Sequence, residues 1–261
     1  MVTLPSDALV ILTRQPVGRG VSGSCWASMG KNQHAALWKR SHPVNNPHLL
    51  SNELVCYRIA KELGLPVPDS FPLPVVGELP VFVQMSFTGN GPLTPPVTPD
   101  QCAAAVAEHP LLTAKIVAFD ILVMNTDRHA GNLAFRSAKT GADLLVIFDH
   151  GHAVFGAPGQ EPAPKRFKRV DWLGCDGNPG SRHCLLDHIE DSNVLDAALS
   201  STRTLTDDVL KQALQTARGF GLSTEESNRA YDALSRRRDR LHDVVAKNRK
   251  EFKKITQWGV I

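Results

Sequence analysis

A long apolar helix that runs directly into a group of polar side chains constrains the fold of this 261-residue chain more than any other feature. Residues 110–125 read "PLLTAKIVAFDILVMN", with apolar side chains on nearly every side of the predicted helix, which predicts that the helix is buried. The following residues, "TDRHAGN" at 126–132, bring together two charges, a histidine, a glycine and an amide. These residue types and their spacing are unusual for a simple turn, so we expect them to face a ligand.

Chain length and composition limit the classes of protein to consider. The length suffices for a substantial core, in one large domain or in two lobes that share a cleft. Lys and Arg exceed Asp and Glu by 29 to 26, a mild excess that indicates neither nucleic acid nor membrane as a partner. The five cysteines form no C-x-x-C pair, and no stretch approaches the roughly 20 apolar residues of a membrane helix. We therefore expect a cytoplasmic protein with reduced thiols and no stable membrane insertion.

The chain before residue 89 is predicted to be rich in β-structure. Its predicted elements are strands at 8–13, 24–29 and 34–39, a helix over 48–63 and a hairpin within 72–88. The next stretch, "TGNGPLTPPVTPDQ", has the composition of a linker. We place the boundary between two lobes there, with one lobe at 1–88 and the other at 89–261.

The second lobe is predicted to be mainly helical. A strand pair turning at Thr140-Gly141 interrupts the helices and ends at "DHGHAVFG". From about residue 206 the pattern is helical again, and Ser223 and Glu226 are predicted to form a capping box. The fold class that follows is α+β, with a β-rich first lobe and a helical second lobe.

The polar stretch has the spacing of a kinase catalytic loop. Asp127 and Asn132 form D-x-x-x-x-N, in which the carboxylate faces the hydroxyl to be phosphorylated and the amide oxygen reaches a magnesium ion. After the predicted strand pair comes Asp149-His150-Gly151, where a kinase places the aspartate that holds magnesium against the phosphates of ATP. The order of these residues along the chain strengthens a spacing that would be weak evidence alone.

Three further elements precede the loop in the order that a kinase requires. "ALWK" resembles the strand that ends in a phosphate-pairing lysine, here Lys39, and Glu53 in the next helix is its natural ion-pair partner. Gly18, Gly20 and Gly23 in "GRGVSG" match G-x-G-x-x-G, which also occurs in dinucleotide-binding folds. That second interpretation needs a helix after the glycines. Because "SCWASM" is predicted to be a strand, a β-turn-β cover over phosphates is favoured.

Taken together, these residues resemble the HipA-like kinase family, with a more distant similarity to type II phosphatidylinositol 4-kinases and actin-fragmin kinase. The resemblance is carried by "NTDRHAGN" after a buried helix that contains "FD", and by the D-H-G turn. It extends to "LLSNELVCYRIAKELGLPVPDS" and covers roughly residues 18–155. Ordinary protein kinases have H-R-D and D-F-G at the corresponding places, and this chain has neither.

The resemblance implies a two-lobed protein-kinase-like fold that uses ATP and Mg2+. It implies that Asp127 orients or deprotonates the acceptor hydroxyl and that Asn132 and Asp149 hold Mg2+. Lys39 would pair with the α and β phosphates and Glu53 would position it. Catalysis would then depend mainly on positioning and charge neutralisation.

The glycine-rich loop has two implied roles. The backbone from Gly20 to Gly23, with Gly18 and Ser22 in the same loop, would cover the phosphates. Members of the family autophosphorylate a serine in this loop, and Ser22 is the favoured candidate here, with Ser24 as the neighbour.

The sequence leaves the acceptor open. A serine or threonine of a protein is favoured, and a lipid kinase, a small-molecule phosphotransferase and a nucleotide-binding regulator without transfer activity are the alternatives. Transfer of AMP would require a reversed nucleotide. The joint presence of Asp127, Asn132 and Asp149 speaks against a pure regulator, because a protein that only binds ATP does not need the acceptor-orienting aspartate.

Other charged groups have weaker signals. The cluster "KRFKR" at 165–169 follows the metal-binding turn, where it could contact an acceptor or form a solvated loop. Residues 236–254 hold nine basic and three acidic side chains, which is typical of a solvated helix face. Three histidines, His129, His150 and His152, could converge, but no carboxylate or cysteine spacing supports zinc.

Overall fold

The computed structural model describes residues 10–16, 24–29, 34–85, 97–136, 144–174 and 182–259. Gly18, Gly20, Ser22 and Gly23 lie outside the described residues, and so does the predicted turn at Thr140-Gly141. The predicted lobe boundary between residues 88 and 89 also falls outside them.

The first lobe is built on an antiparallel sheet of five strands in the order β1-β2-β3-β5-β4. The strands are β1 (Val10–Pro16), β2 (Cys25–Met29), β3 (His34–Arg40), β4 (Ser70–Leu73) and β5 (Val81–Met85). The prediction of a hairpin within 72–88 is wrong at its first strand, because β4 begins at Ser70 and ends at Leu73. Pro74 cannot donate to the ladder, and Pro72 is tolerated because β4 is an edge strand.

One helix, α1 (Leu49–Glu62), connects β3 to β4 and confirms the helix predicted over 48–63. Its end is defined by Gly64 at φ +68°, a backbone conformation that glycine adopts without steric cost. Leu65 N–H donates to the Ala60 carbonyl at 2.9 Å and Gly64 N–H donates to the Lys61 carbonyl at 3.1 Å. These bonds satisfy carbonyls that the helix end would otherwise leave without partners.

The second lobe surrounds the predicted buried helix. Its helices are α2 (Pro99–Glu108), α3 (Pro110–Leu122), α4 (Ala163–Arg166), α5 (Ser192–Ser201), α6 (Asp207–Arg218), α7 (Thr224–Asp239) and α8 (Leu241–Lys247). Residues 116–122 of α3 have no exposed surface, so this helix is the centre of the lobe. The predicted capping box at Ser223 and Glu226 is confirmed at the start of α7. The architecture is the α+β, two-lobed one that the sequence predicts.

The predicted strand pair is also present in this lobe. Strands β6 (Leu133–Arg136) and β7 (Leu144–Ile147) are antiparallel and pair Leu133 with Ile147.

In the part of the chain that the structure describes, no single helix is long and apolar enough to cross a membrane; α2 and α3 pass that test only as a pair bent by 113°.

Two arginines of the basic clusters are core residues, which corrects the prediction of solvated or acceptor-facing side chains. Arg237 donates to the carbonyls of Ile121 at 2.6 Å and Trp172 at 2.9 Å, near the end of α3. Arg166 donates to the carbonyl of Met124, and burial followed by the Arg237 charge lowers the pKa of Arg166 to about 10. Carbonyl groups at the end of a helix carry partial negative charge and attract guanidinium groups, which accounts for the burial of both arginines.

Candidate active site

The first group of site residues meets at a buried ammonium between the lobes. Lys39 Nζ lies 2.7 Å from Glu53 Oε1 and 2.8 Å from Asp149 Oδ1. Lys39 comes from β3, Glu53 from α1, and Asp149 from the segment just after β7. The Lys39 and Glu53 side chains are nearly inaccessible, whereas the Asp149 side chain is 23% exposed. Asp149 is therefore the member of this group that solvent or a ligand can reach.

Lys39 and Glu53 form a buried ion pair, and Asp149 contacts the same ammonium from the exposed side. Burial disfavours the Lys39 ammonium, but the Asp149 and Glu53 carboxylates more than compensate and raise the pKa of Lys39 above its usual value. Burial also disfavours the charged form of Glu53 and by itself would raise the pKa of that carboxyl. The Lys39 charge and a hydrogen bond from His150 outweigh burial, so the pKa of Glu53 lies below its usual value. One ammonium facing two carboxylates leaves formal negative charge at the site, which favours a cation beside Asp149.

Asp149 has a backbone conformation that is rare for a residue with a side chain, at φ +57°. Such conformations persist only where surrounding contacts determine them, and they are concentrated at functional sites. Here the next residue is fixed to α1, because His150 N–H donates to Glu53 Oε2 at 3.2 Å. Glu53 thus holds both Lys39 and the turn that carries Asp149.

Asp127 and Asn132 form the second group of site residues. Asn132 Nδ2 donates to the Asp127 carbonyl at 2.8 Å and lies 3.4 Å from Asp127 Oδ2. Phe148 N–H donates to the Asn132 carbonyl at 3.3 Å, at the base of the β6–β7 hairpin. The hairpin therefore brings Asn132 beside the strand end that leads into Asp149.

Arg128 links the two groups from inside the protein. Its fully buried guanidinium donates to Asp120 Oδ2 at 2.8 Å, to the Asn132 carbonyl at 2.9 Å and to the Phe148 carbonyl at 2.8 Å. Burial would raise the pKa of Asp120, but Arg128 and His183 lower it below its usual value. The loop with Asp127 and the strand end before Asp149 are thus fixed to one ion pair.

Asp127 is also flanked by two imidazoles. His152 Nδ1 lies 3.5 Å from Asp127 Oδ2, and His129 Nε2 lies 3.9 Å from Asp127 Oδ1. The Asp127 side chain is 29% exposed, so solvent or a ligand can reach it. Within the described ranges, no group of three His, Cys, Asp or Glu side chains is arranged to hold a metal ion.

The sequence prediction missed two residues that hold this site together. Asp120 was visible only as the single acid in an apolar helix, a position where an unpaired charge would be costly. Asn52, next to Glu53, had no signal in the sequence, because its partners lie about 100 residues away in the chain. The predicted loop residues Gly18, Gly20, Ser22 and Gly23 lie outside the described residues, so their placement stays a prediction.

No protein-family model and no curated protein matches the sequence. Among solved structures, the Helicobacter pylori proinflammatory kinase CtkA superposes with a TM-score of 0.61 at 16% identity, covering 93% of this chain and 96% of that chain. The Golgi casein kinase superposes with a TM-score of 0.50 at 11% identity, covering 96% of this chain and 76% of that chain. HipA of Shewanella oneidensis MR-1 superposes with a lower TM-score of 0.47 at 10% identity, covering 97% of this chain and 76% of that chain. The chain therefore has a two-lobed protein-kinase-like fold.

Proposed function

We propose that this protein is an ATP-dependent kinase of the HipA-like type that transfers the γ-phosphoryl group to a hydroxyl, with serine or threonine of a protein as the favoured acceptor. The observation that carries the proposal is the buried ion pair of Lys39 with Glu53, beside Asp149 at 2.8 Å. A lysine on β3 paired with a glutamate on the following helix is the arrangement that kinases need to hold ATP phosphates. The likeness to two solved kinases supports the same class of protein.

The donor groups fit Mg2+ and a nucleotide. Mg2+ prefers oxygen ligands, and Asp149 offers a partly exposed carboxylate. The Asn132 side-chain N–H donates to the Asp127 carbonyl, so the amide oxygen is the atom of Asn132 that can bind a cation. In this proposal Asn132 and Asp149 would hold Mg2+, and bound Mg-ATP would supply an activated phosphoryl group with partly neutralised charge.

The residues of the chain would perform the remaining work. Lys39 would donate to the α and β phosphates, and Glu53 keeps the ammonium charged and in place. Asp127 would orient the acceptor hydroxyl and accept its proton, while Asn132 and Arg128 hold the loop that presents the carboxylate. Because these groups are already fixed before substrate binds, little reorganisation would be needed during transfer.

The test is incubation of the purified protein with Mg2+ and γ-labelled ATP, followed by intact-mass measurement and peptide mapping. The proposal predicts a gain of one phosphoryl group at Ser22 or Ser24, or labelling of an added protein acceptor, and loss of either signal in Asp127→Ala. Asp69→Ala is the control, because the Asp69 side chain is 70% exposed and pairs with the surface residue Lys61 at 3.3 Å.

The same assay separates the alternatives. Transfer of label only to phosphatidylinositol vesicles would show that the acceptor is a lipid and not a protein. Transfer only to a small hydroxyl compound, such as an aminoglycoside or a sugar, would show a small-molecule acceptor. A mass gain that corresponds to AMP would overturn phosphoryl transfer. Binding of Mg-ATP without transfer to any acceptor would indicate a regulator.

A further inference from the structure

The Asn52 side chain makes an unusually complete set of hydrogen bonds between the two lobes. Asn52 is fully buried on α1, directly before Glu53. Its Nδ2 donates to the carbonyls of Gly151 at 2.7 Å and Gly156 at 3.1 Å, and its Oδ1 accepts from Phe155 N–H at 2.9 Å. One carboxamide therefore fixes both ends of the segment that follows Asp149.

We propose that Asn52 is a positioning residue that locks α1 onto residues 150–156 and so keeps Glu53 and Asp149 aligned with Lys39. This inference rests on the proposed kinase function and goes beyond the Lys39–Glu53 pair, because Asn52 would act through its neighbours without touching the nucleotide. The proposal predicts that α1, through Asn52, holds the two lobes in the arrangement that binds the nucleotide.

Two other contacts show how closely α1 approaches this segment. Glu53 Oε2 accepts from His150 N–H at 3.2 Å, so two successive residues of α1 bind the same segment. A Cβ atom added at Gly151 would lie 2.6 Å from Leu49 Cδ1, which means that only glycine fits against the start of the helix without movement. His48 gives α1 no side-chain cap, and at its start Leu50 N–H donates to Ser41 Oγ at 2.9 Å, so the contacts with residues 150–156 add to this anchor from the second lobe.

The carboxamide is the group that this position requires. An apolar side chain would leave two buried carbonyls and one buried N–H without their partner, and leaving such groups unsatisfied is costly. A carboxylate would keep an acceptor for Phe155 N–H but would face the carbonyl oxygens of Gly151 and Gly156. Replacements by Ala and by Asp therefore disturb the segment in different ways.

The experiment compares Asn52→Ala and Asn52→Asp with Ile59→Ala. Ile59 is a fully buried core residue on the same helix, and its truncation destabilises the protein without removing a hydrogen bond to residues 150–156. We measure the melting temperature, the kcat and KM for Mg-ATP, and the hydrogen exchange of the amides in 150–156. Assays are made well below the melting temperature of every variant.

Both Asn52 variants should lower kcat/KM for Mg-ATP by at least about tenfold, because the loss of buried hydrogen bonds displaces the groups that hold the phosphates. Asn52→Ala should also speed the exchange of the Phe155 amide. Ile59→Ala should lower the melting temperature but leave kcat/KM within about twofold of wild type. Wild-type kcat/KM and Phe155 exchange in folded Asn52 variants would overturn the proposal.

The failure of the proposed function would look different. If the wild-type protein transfers no phosphate, that function fails, while Phe155 exchange and Mg-ATP affinity in the variants still decide whether Asn52 aligns the site. If neither Asn52 variant folds, exchange in the wild-type protein decides. Phe155 protection as strong as that of the α1 amides would support the anchor, and fast exchange would contradict it.

Discussion

Lys39 and Asp149 come from different lobes, and their side chains meet at 2.8 Å, with Lys39 buried and Asp149 partly exposed. Glu53 completes the contact at 2.7 Å from the same ammonium. The relative position of the lobes is therefore tied to an ion pair that a nucleotide would share. This relationship gives a set of variants whose effects on stability and on ligand binding can be measured separately.

Lys39→Met should weaken ATP binding and also destabilise the protein. Removal of the ammonium leaves Glu53 and Asp149 as neighbouring carboxylates, and breaking a buried ion pair costs about 3–5 kcal/mol. Lys61→Met is the matched control, since it breaks an exposed pair with Asp69 at 3.3 Å that is worth about 0–1 kcal/mol. Urea unfolding measures the free energy of unfolding of both variants. An equal loss of that free energy in Lys39→Met and Lys61→Met would contradict the role of Lys39.

Asp127→Asn should separate transfer from binding. The substitution keeps the size of the side chain but removes the base for the acceptor proton, which typically lowers the rate by about 10²–10⁴-fold. Calorimetry should give Mg-ATP affinity within about threefold of wild type, because Asp127 is not expected to hold the phosphates. A loss of affinity as large as the loss of rate would place Asp127 at the nucleotide instead.

Asp120→Asn should lower stability although Asp120 would touch neither substrate. It leaves the Arg128 guanidinium buried without its counter-ion, which costs about 3–5 kcal/mol, and it releases the loop that carries Asp127. The exposed Asp232→Asn is the control, with an expected change within about 0.5 kcal/mol. Thermal unfolding measures both. Wild-type stability in Asp120→Asn would contradict the importance of this ion pair.

His48, the residue before α1, should make stability depend on pH. Burial lowers its pKa below the usual value, and Glu226 at 3.6 Å opposes this shift in part. The unfolded protein therefore binds a proton at His48 more readily, so stability should fall as pH decreases below about 6.5 towards the lower folded pKa. Above that pH the contribution is constant.

The check is the melting temperature of wild type and His48→Gln between pH 7.5 and 5. The wild-type value should fall more steeply than that of the variant over this interval. Parallel curves would show that His48 is not the titrating group. The imidazole also stacks on Phe155 at a centroid distance of 5.0 Å, so the variant should be less stable at every pH.

Structural features that depend on neighbouring residues could be predicted from the sequence. Apolar patterns predicted α1 to within one residue at each end and α3 from its first residue, although α3 ends at Leu122 and not at residue 125. Asp127 and Asn132 lie just before the β6–β7 hairpin and Asp149 lies just after it. That hairpin explains why these residues lie close together, because two antiparallel strands bring their outer ends together whatever the rest of the fold does.

Contacts between distant segments could not be read in the same way. Asn52 looked like an ordinary polar residue of a helix, and its role depends on residues 151–156 folding against it. Arg237 and Arg166 looked like members of basic surfaces, yet they donate hydrogen bonds to backbone carbonyls at and just after the end of α3. Composition indicates only that such side chains are charged, whereas burial and partners follow from the packed fold.

We propose that Lys39, Glu53 and Asp149 form a Mg-ATP site, and calorimetric ATP affinity with and without Mg2+ tests this first. Wild type and the exposed-site control Asp69→Asn should bind ATP at least about tenfold more tightly with Mg2+ present, a difference that Asp149→Asn should abolish. Equal affinity with and without Mg2+ in the wild-type protein, or a Mg2+ effect that survives in Asp149→Asn, would contradict the claim.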